Sequence, residues 1–573
     1  MHPITTLFAI AMLALPGLCR TPPGLALDSA SGPAPKPVEH VIVPSLKGLV
    51  FLSKPEDVVQ SGVSAAGVTT AAVPFLGADF QIQMSGCLNR PLTLDGLNNI
   101  THAVVAYYRA HNHPLVSAVA PTQNIDGGVV QVVVTEFRVG EIRPQGNKWF
   151  SDRVVTAPIT LHHGDTIDSQ LLVAQLDSAN ANPFRHVNLV YEPSSQPGYA
   201  DLVLETQDRL PVSVFTGFDN SGLPVTGRNR WDVGVTWGNA LWRDQQLSYQ
   251  LSTSTDFFSG RSSQPGEPGG ASFVGQSLTW VMPVRGSDSI TVFGNYQRAV
   301  PNVGQDFGLI ARSGEAGAHY NVALRRTASL VHTLALGYDF KATNNNLDFG
   351  GTNISRTNAE IDQFPLTYTA TLLDGHGSTA LATSLVFSPG HITPNNNSSA
   401  FQPAGEQSGR PFASARYVYW RSDLTRLTKL PAGMTWAARL AGQVSSANLL
   451  YTEQLAGGGL DILRGYDPNS VLGDEGVMLS NELRSPAIKK QTGETAWLGQ
   501  LQPFIFWDWA NMSSVHDVAG AVNHISAASI GAGAHYNLRS HIVATVEFGR
   551  QLQHLPFADS RDQLVSFSLL TAY

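Results

Sequence analysis

From about residue 211 to 573, apolar side chains recur at every second position in runs of about ten, the rhythm of strands with one apolar face. In Gln246–Ser254 the apolar set is Leu247, Tyr249 and Leu251, with Ser248, Gln250 and Ser252 between them. Leu334, Leu336, Tyr338 and Phe340 alternate with Ala335, Gly337, Asp339 and Lys341, and the pattern recurs through Trp436–Ser445, Ile530–Leu538 and His541–Phe548. Turn formers cluster at Arg261–Gly270, Asn344–Asn346 and Pro394–Ala404. The last run, Phe567, Leu569, Thr571 and Tyr573, ends on an aromatic, as suits the closing strand of a membrane barrel. A soluble sandwich also alternates. Here, however, the polar positions are mostly Ser, Thr, Asn, Gln and Gly, as a wet lumen requires, rather than the charges of a solvated outer face. About ten residues per strand, plus turns and loops, predict a transmembrane antiparallel β-barrel of about 16 strands over 210–573.

Upstream the period changes. In Thr93–His111, Leu97, Ile100, Val104 and Tyr107 or Tyr108 recur at helical spacing with Asp95 near the start. A second helix is expected from Asp168 to Asn180, with Leu171 or Leu172, Gln175 and Leu176 on one side. Strands are expected before the helices at Gly48–Leu52 and Val139–Pro144. After them come Leu115–Pro121 and Val129–Glu136, then Val187–Glu192 and Ala200–Glu205. The order strand, helical region, strand, strand therefore runs twice, predicting two small α+β domains at 45–136 and 137–209. The residues 21–44 are rich in Pro, Gly and Ala and read as a linker.

Composition changes this picture in two ways. Only 14% of the residues are charged while 43% are hydrophobic, which excludes disorder, and the chain lacks the repeated 20-residue apolar runs of a helical transporter. The formal net charge of −8 gives a nucleic-acid partner no electrostatic support. Residues 1–20 carry an apolar stretch, Ile4–Leu18, of signal-peptide length, and export is expected. No Lys or Arg precedes that stretch, and the pattern leaves the cleavage site open. Cys19 follows Leu18, whereas a lipoprotein cysteine normally follows Gly or Ala. Cys87 alone cannot form an internal disulfide once the leader is removed.

Enzyme signatures are absent: there is no HExxH, Gly-x-Ser-x-Gly, phosphate loop or CxxC. No catalytic residue, cofactor or metal is expected, and the pairs His111/His113 and His162/His163 read as surface or turn histidines rather than metal ligands. One segment stands apart. Gly457-Gly-Gly-Leu-Asp-Ile-Leu463-Arg464-Gly465-Tyr466-Asp467-Pro468, followed by Gly473-Asp-Glu-Gly476 and Asn481-Glu-Leu-Arg484, is long for a connection between strands, and long loops in compact folds are usually functional. Downstream, Phe506-Trp507-Asp508-Trp509-Ala510 sets a carboxylate between two tryptophans. If the tryptophans face lipid, Asp508 faces the lumen, where it would form a charge-assisted pair with an inward-folded Arg464.

Leu463-Arg464-Gly465-Tyr466 with Phe506-x-Asp508 resembles the signature of the two-partner secretion transporters. These form the TpsB family of haemolysin and filamentous-haemagglutinin exporters, ShlB/FhaC/HecB-like, in the BamA-like superfamily. Val119-Ala-Pro121-Thr-Gln123-Asn-Ile125-Asp-Gly127 and Val132–Glu136 resemble the end of the family's first POTRA domain. Gly140-Glu-Ile142, Gly146-Asn147 and Asn180-Ala-Asn182-Pro183-Phe184-Arg185 resemble the second, and Asp219–Gly222 through Gly227 the entry to the barrel. Ala510 stands where the family has Gly, and Thr21–Pro37 is too rich in Pro and Gly for the plug helix of many members.

The resemblance implies an exporter, not an enzyme, in the outer membrane, with its POTRA domains in the periplasm. It would take an unfolded TpsA-type exoprotein, an adhesin or haemolysin-like client, and pass it through a lipid-embedded, monomeric barrel. Arg464 and Asp508 would be a lumenal latch. The rivals are a BamA- or TamA-like insertase, which normally has three to five POTRA domains, and a plain porin, which needs neither those domains nor the Arg464 loop.

Overall fold

The helical period upstream forms the helix Leu94–Ala110, whose Ile100, Val104 and Tyr108 sit one turn apart and are buried. It starts at Thr93, whose hydroxyl accepts a hydrogen bond from the Gly96 N–H at 3.1 Å. Asp95, expected near the start, lies in the first turn, where a carboxylate favours the helix dipole. The helix covers a four-stranded sheet in the order Gly67–Thr69, Gly48–Leu52, Val129–Glu136, Val116–Val119. Gly48–Leu52 runs parallel to both its neighbours, and Val116–Val119 pairs antiparallel at the edge. Leu46, Leu49, Phe51, Val130, Val132 and Val134 meet the helix in one core; each large side chain so buried contributes about 1.5–3 kcal/mol.

In this computed structural model the described residues are 40–258, 271–302, 307–349, 352–403, 409–460, 462–489, 499–538, 541–555 and 562–573. The expected leader, Cys19, the Thr21–Pro37 segment and the Arg261–Gly270 cluster lie outside them. The last part of the expected linker does not behave as one. Val41–Val43 is a strand paired with Leu92–Thr93, and Val43 joins the first core, so the ordered domain begins before residue 45. The helix Ala78–Ser85 is also additional. It buries only Phe80 and Met84, a repeat too short to register as a period.

A second sheet places Tyr199–Asp208 between Arg138–Gln145, to which it is parallel, and Arg185–Pro193, to which it is antiparallel. Its helix Ser169–Ala179 is capped by Asp168, which accepts from the N–H groups of Gln170 and Leu171 at 2.7 and 3.1 Å. A short helix, Asp152–Thr156, completes the order strand, helices, strand, strand. Leu115 and Phe137, at the end of the first sheet, pack against Ile167 and Leu172 of the second core. The Ser169 N–H donates to the Asn112 carbonyl at 2.8 Å, so the two sheets share a bonded junction.

The remaining chain, from Leu210, is a separate compact unit. Among the described residues sixteen antiparallel strands, from Val212–Asp219 to Gln563–Ala572, close into a barrel. The seam pairs Phe215 with Ala572 through Asp219 with Ser568. Burial is inverted relative to a soluble protein. Leu336 and Ile505 are 63% and 60% exposed, whereas Asp339 and Asp508 are buried. That is the arrangement of a sheet whose outer face meets lipid.

The sequence reading fails at Asn344–Asn346. These turn formers lie within the strand Leu330–Phe349, where Asn344 pairs with Arg312 on one side and Asn358 on the other. Ladder bonds to two neighbours outweigh the local turn preference. Connections are short at one end, as from Ala240 to Gln245 and from Asp374 to Gly377, and long at the other, as from Ser388 to Tyr417 and from Ser445 to Glu475. That last connection holds the Arg464 segment.

Candidate functional site

The loop of residues 446–474 enters the barrel as a hairpin, Leu455–Gly457 paired with Val471–Gly473. Two glycines shape its tip. Gly458 has φ +112°, and a Cβ there would lie 2.1 Å from the Asp467 carbonyl oxygen. Gly465 has φ +92° and approaches Gly549 of the wall so closely that a Cβ would stand 3.0 Å from the Gly549 carbonyl carbon. Leu463 and Tyr466 are fully buried with Ile462, Val471, Met478 and Met512. The Tyr466 hydroxyl sits within hydrogen-bond distance of the Gln553 and Ala528 carbonyls, at 2.6 and 2.9 Å. The tip is thus anchored to the wall by apolar packing and by two polar ends.

Arg464 makes the main charged contact. In the strand Gln500–Ser513, Phe504, Phe506, Asp508 and Ala510 are buried while Ile505 and Trp507 are exposed on the opposite face. The two Asp508 oxygens accept from Arg464 Nε and Nη2 at 2.9 Å each, and Oδ2 also accepts from the Arg464 backbone N–H at 2.8 Å. The Phe506 ring lies under the guanidinium, its centroid 3.8 Å away. All six residues singled out from the sequence, Leu463, Arg464, Gly465, Tyr466, Phe506 and Asp508, therefore meet in one place. Removing one member of a buried pair of this kind costs about 3–5 kcal/mol, because the other charge stays behind without a partner.

Several partners had no role assigned from the sequence, although Glu482 and Arg484 lie in the stretch that follows the Arg464 segment. Glu482 pairs with Arg464 Nη1, Ser480 Oγ accepts from Nη2 at 3.1 Å and donates to Asp508 at 2.6 Å, and Glu547 Oε2 stands 3.9 Å from Nη1. Glu482 is itself held by Arg484 at 2.6 Å and His535 at 3.0 Å. The available signal was parity: Ser480 and Glu482 are two apart on one strand, and Glu547 lies between the outward Val546 and Phe548. The loop's stem has its own ties. Asp474 accepts from Arg410 at 2.6 and 2.8 Å and from the Leu449 N–H at 2.9 Å. Glu453 accepts from Lys341 at 2.8 Å and from the Tyr419 hydroxyl at 3.0 Å. Asp467, beside the tip, pairs with Arg228 from the connection between the first two barrel strands. The three charged pairs, Arg410 with Asp474, Lys341 with Glu453 and Arg228 with Asp467, span 64 to 239 positions in sequence, and no local pattern joins them.

The upstream motifs have structural work. The Gln123 amide accepts from the Gln131 N–H at 2.8 Å and donates to its carbonyl at 2.7 Å, extending the sheet by one side chain. Asn180 does the same for Val187, at 2.7 and 3.0 Å. Gly140 lies at a register shift, where a Cβ would strike Asp201 Oδ1 and where the Glu141 N–H donates to that oxygen at 2.9 Å. That bond holds the Asp201 carboxyl below the usual carboxylate range. At the barrel entry the Asn220 amide accepts from the Phe567 N–H at 2.9 Å and donates to the Val565 carbonyl at 2.8 Å, tying the first strand to the last. The paired histidines serve as packing groups: His113 bonds Glu136 at 2.5 Å, and His163 stacks on Tyr199.

The family described as haemolysin secretion/activation protein ShlB/FhaC/HecB matches residues 198–535, more than half of the chain, and an ShlB-type POTRA domain matches residues 72–136. The chain belongs to the ShlB/FhaC/HecB family. It is accordingly an outer-membrane β-barrel transporter of two-partner secretion. The matched POTRA segment holds the helices Ala78–Ser85 and Leu94–Ala110 and the strands Val116–Val119 and Val129–Glu136 of the four-stranded sheet. The outer membrane transporter CdiB of Dickeya dadantii strain 3937 is 22% identical over 402 residues, covering 70% of this chain and 68% of the relative. The solved structure of CdiB from Escherichia coli superposes with a TM-score of 0.69 at 17% identity, covering 96% of this chain and 93% of that one. BamA from Haemophilus ducreyi lacking POTRA domains 1–3 shares the fold at a TM-score of 0.51 and 11% identity, covering 85% and 95%.

Proposed function

We propose that this ShlB/FhaC/HecB-family transporter captures one large, unfolded TpsA-type exoprotein in the periplasm and passes it through its barrel to the cell surface. The two sheets of residues 41–209 act as two POTRA domains. Each leaves a strand edge able to accept an extended client segment, Val116–Val119 in the first and Arg185–Pro193 in the second. The chain performs no catalysis, and the client's folding outside supplies direction. The barrel works as a monomer in lipid.

The single observation that carries this reading is the loop tip buried on the lumen wall. Arg464, Gly465 and Tyr466 occupy space an exported chain would need, and their contacts to Asp508 and Gly549 are all to wall residues. A plain porin needs no upstream α+β domains of the kind that precede this barrel. An insertase reading is favoured only by the fold shared with BamA, at low identity. The test is co-expression of this transporter with a candidate large exoprotein. Export requires the client in the medium or on the surface only when this chain is present. Client retained in the periplasm despite a folded barrel, together with lost assembly of other outer-membrane proteins on deletion, would favour the insertase.

A further inference from the structure

The wall around Arg464 carries more negative than positive charge. Asp508, Glu482 and Glu547 all approach Arg464, whereas the wall's own cation there, Arg484, is bound to Glu482. His535 lies against the same Glu482 oxygen. Every member except Arg464 belongs to the strands Glu475–Arg484, Gln500–Ser513, His524–Leu538 and Ile542–Gln551. The cage is therefore part of the barrel, not of the loop, and persists when the loop leaves.

Its shape suits a flat cation. The Asp508 fork takes two N–H groups at 2.9 Å, Ser480 Oγ takes another at 3.1 Å, and Phe506 offers a ring face at 3.8 Å. A compact ammonium cannot meet the fork and the ring together. A second observation is independent of the acids. Ser529 pairs directly with Asp508 across adjacent strands and so shares its face, is fully buried, and among the described residues its Oγ has no hydrogen-bond partner. A cage emptied of Arg464 would leave buried carboxylates without their main counter-charge, a state that strongly favours a replacement cation.

We propose that the cage is a guanidinium site, and that when the loop withdraws it is occupied by arginine side chains of the polypeptide in transit. This rests on the reading of the loop tip as a movable latch. The handover keeps the wall compensated: each client arginine replaces Arg464 without a bare intermediate, and successive arginines offer short holds along the passage.

The test uses the full-length Arg464→Ala transporter in detergent and, as probe, N-acetyl-arginine amide against its lysine and citrulline counterparts in equilibrium dialysis. The arginine probe should bind at least about tenfold tighter than either, and Asp508→Asn in the same background should abolish the preference. Equal binding of the three probes, or a preference that survives Asp508→Asn, would overturn the site. Should that double variant not fold, Glu482→Gln in its place carries the same expectation. A secretion assay separates the source. If client arginines use the cage, Arg464→Ala/Asp508→Asn secretes less than Arg464→Ala alone; equal secretion would overturn the client's role while leaving a bare guanidinium site. Full secretion by Arg464→Ala alone would instead sink the latch reading, an outcome distinct from either.

Discussion

Arg464 is held by geometry as much as by charge. Its guanidinium meets a two-oxygen fork, a hydroxyl and a ring face at once, contacts that a lysine ammonium cannot reproduce. Arg464→Lys is therefore expected to secrete nearly as poorly as Arg464→Ala, measured as client in the medium normalised to heat-modifiable, folded barrel. Asp201 is a separate case at the same scale. Because the Glu141 N–H depresses its pKa, the stabilisation is complete above the ordinary carboxylate range and is lost as pH falls through the depressed value. Thermal unfolding of residues 40–209 should show a drop in midpoint on acidification, and Asp201→Asn should lower the midpoint at neutral pH and flatten that dependence. An unchanged pH profile would remove Asp201 from the acid sensitivity.

Among the elements, helices and strands were legible in proportion to their length and regularity. The strands Gly48–Leu52 and Val129–Glu136 end where their apolar runs and flanking residues place them. The helix Ser169–Ala179 was readable because Asp168 caps it, and Asp168→Ala should cost about 1 kcal/mol, lowering the midpoint of the periplasmic unit by about 2–4 °C. The three-residue strands Val41–Val43 and Gly67–Thr69 were not readable, since their stability comes from pairing partners remote in sequence. Ala at Gly465 would force a φ of +92° on a residue with a Cβ and press it against Gly549, at a cost of about 1–3 kcal/mol. Gly465→Ala should therefore loosen the docked tip, read as increased tryptic cleavage after Arg464 in intact cells. Protection equal to the parent chain would show that the glycine contact does not hold the tip.

For the whole molecule, what the sequence revealed was the barrel's wall and one of its ties. Strict alternation specified which residues face outward, and the Arg464 and Asp508 motifs marked the contact that docks the loop tip, because both are locally distinctive. The stem ties were hidden for a physical reason: Arg410 with Asp474 and Lys341 with Glu453 are pairs between distant strands and loops, and each residue alone reads as an ordinary charge. At this scale the chain comprises two upstream α+β sheets, a closed sixteen-stranded barrel and a loop whose tip is docked on the inner face of the barrel wall. The most direct test is secretion by Arg464→Ala and by Asp508→Ala, each compared with the parent at equal levels of folded, inserted barrel. Both single variants should export clearly less client while their barrels remain in the outer membrane. Full secretion by both would contradict the latch and with it the role assigned to the loop.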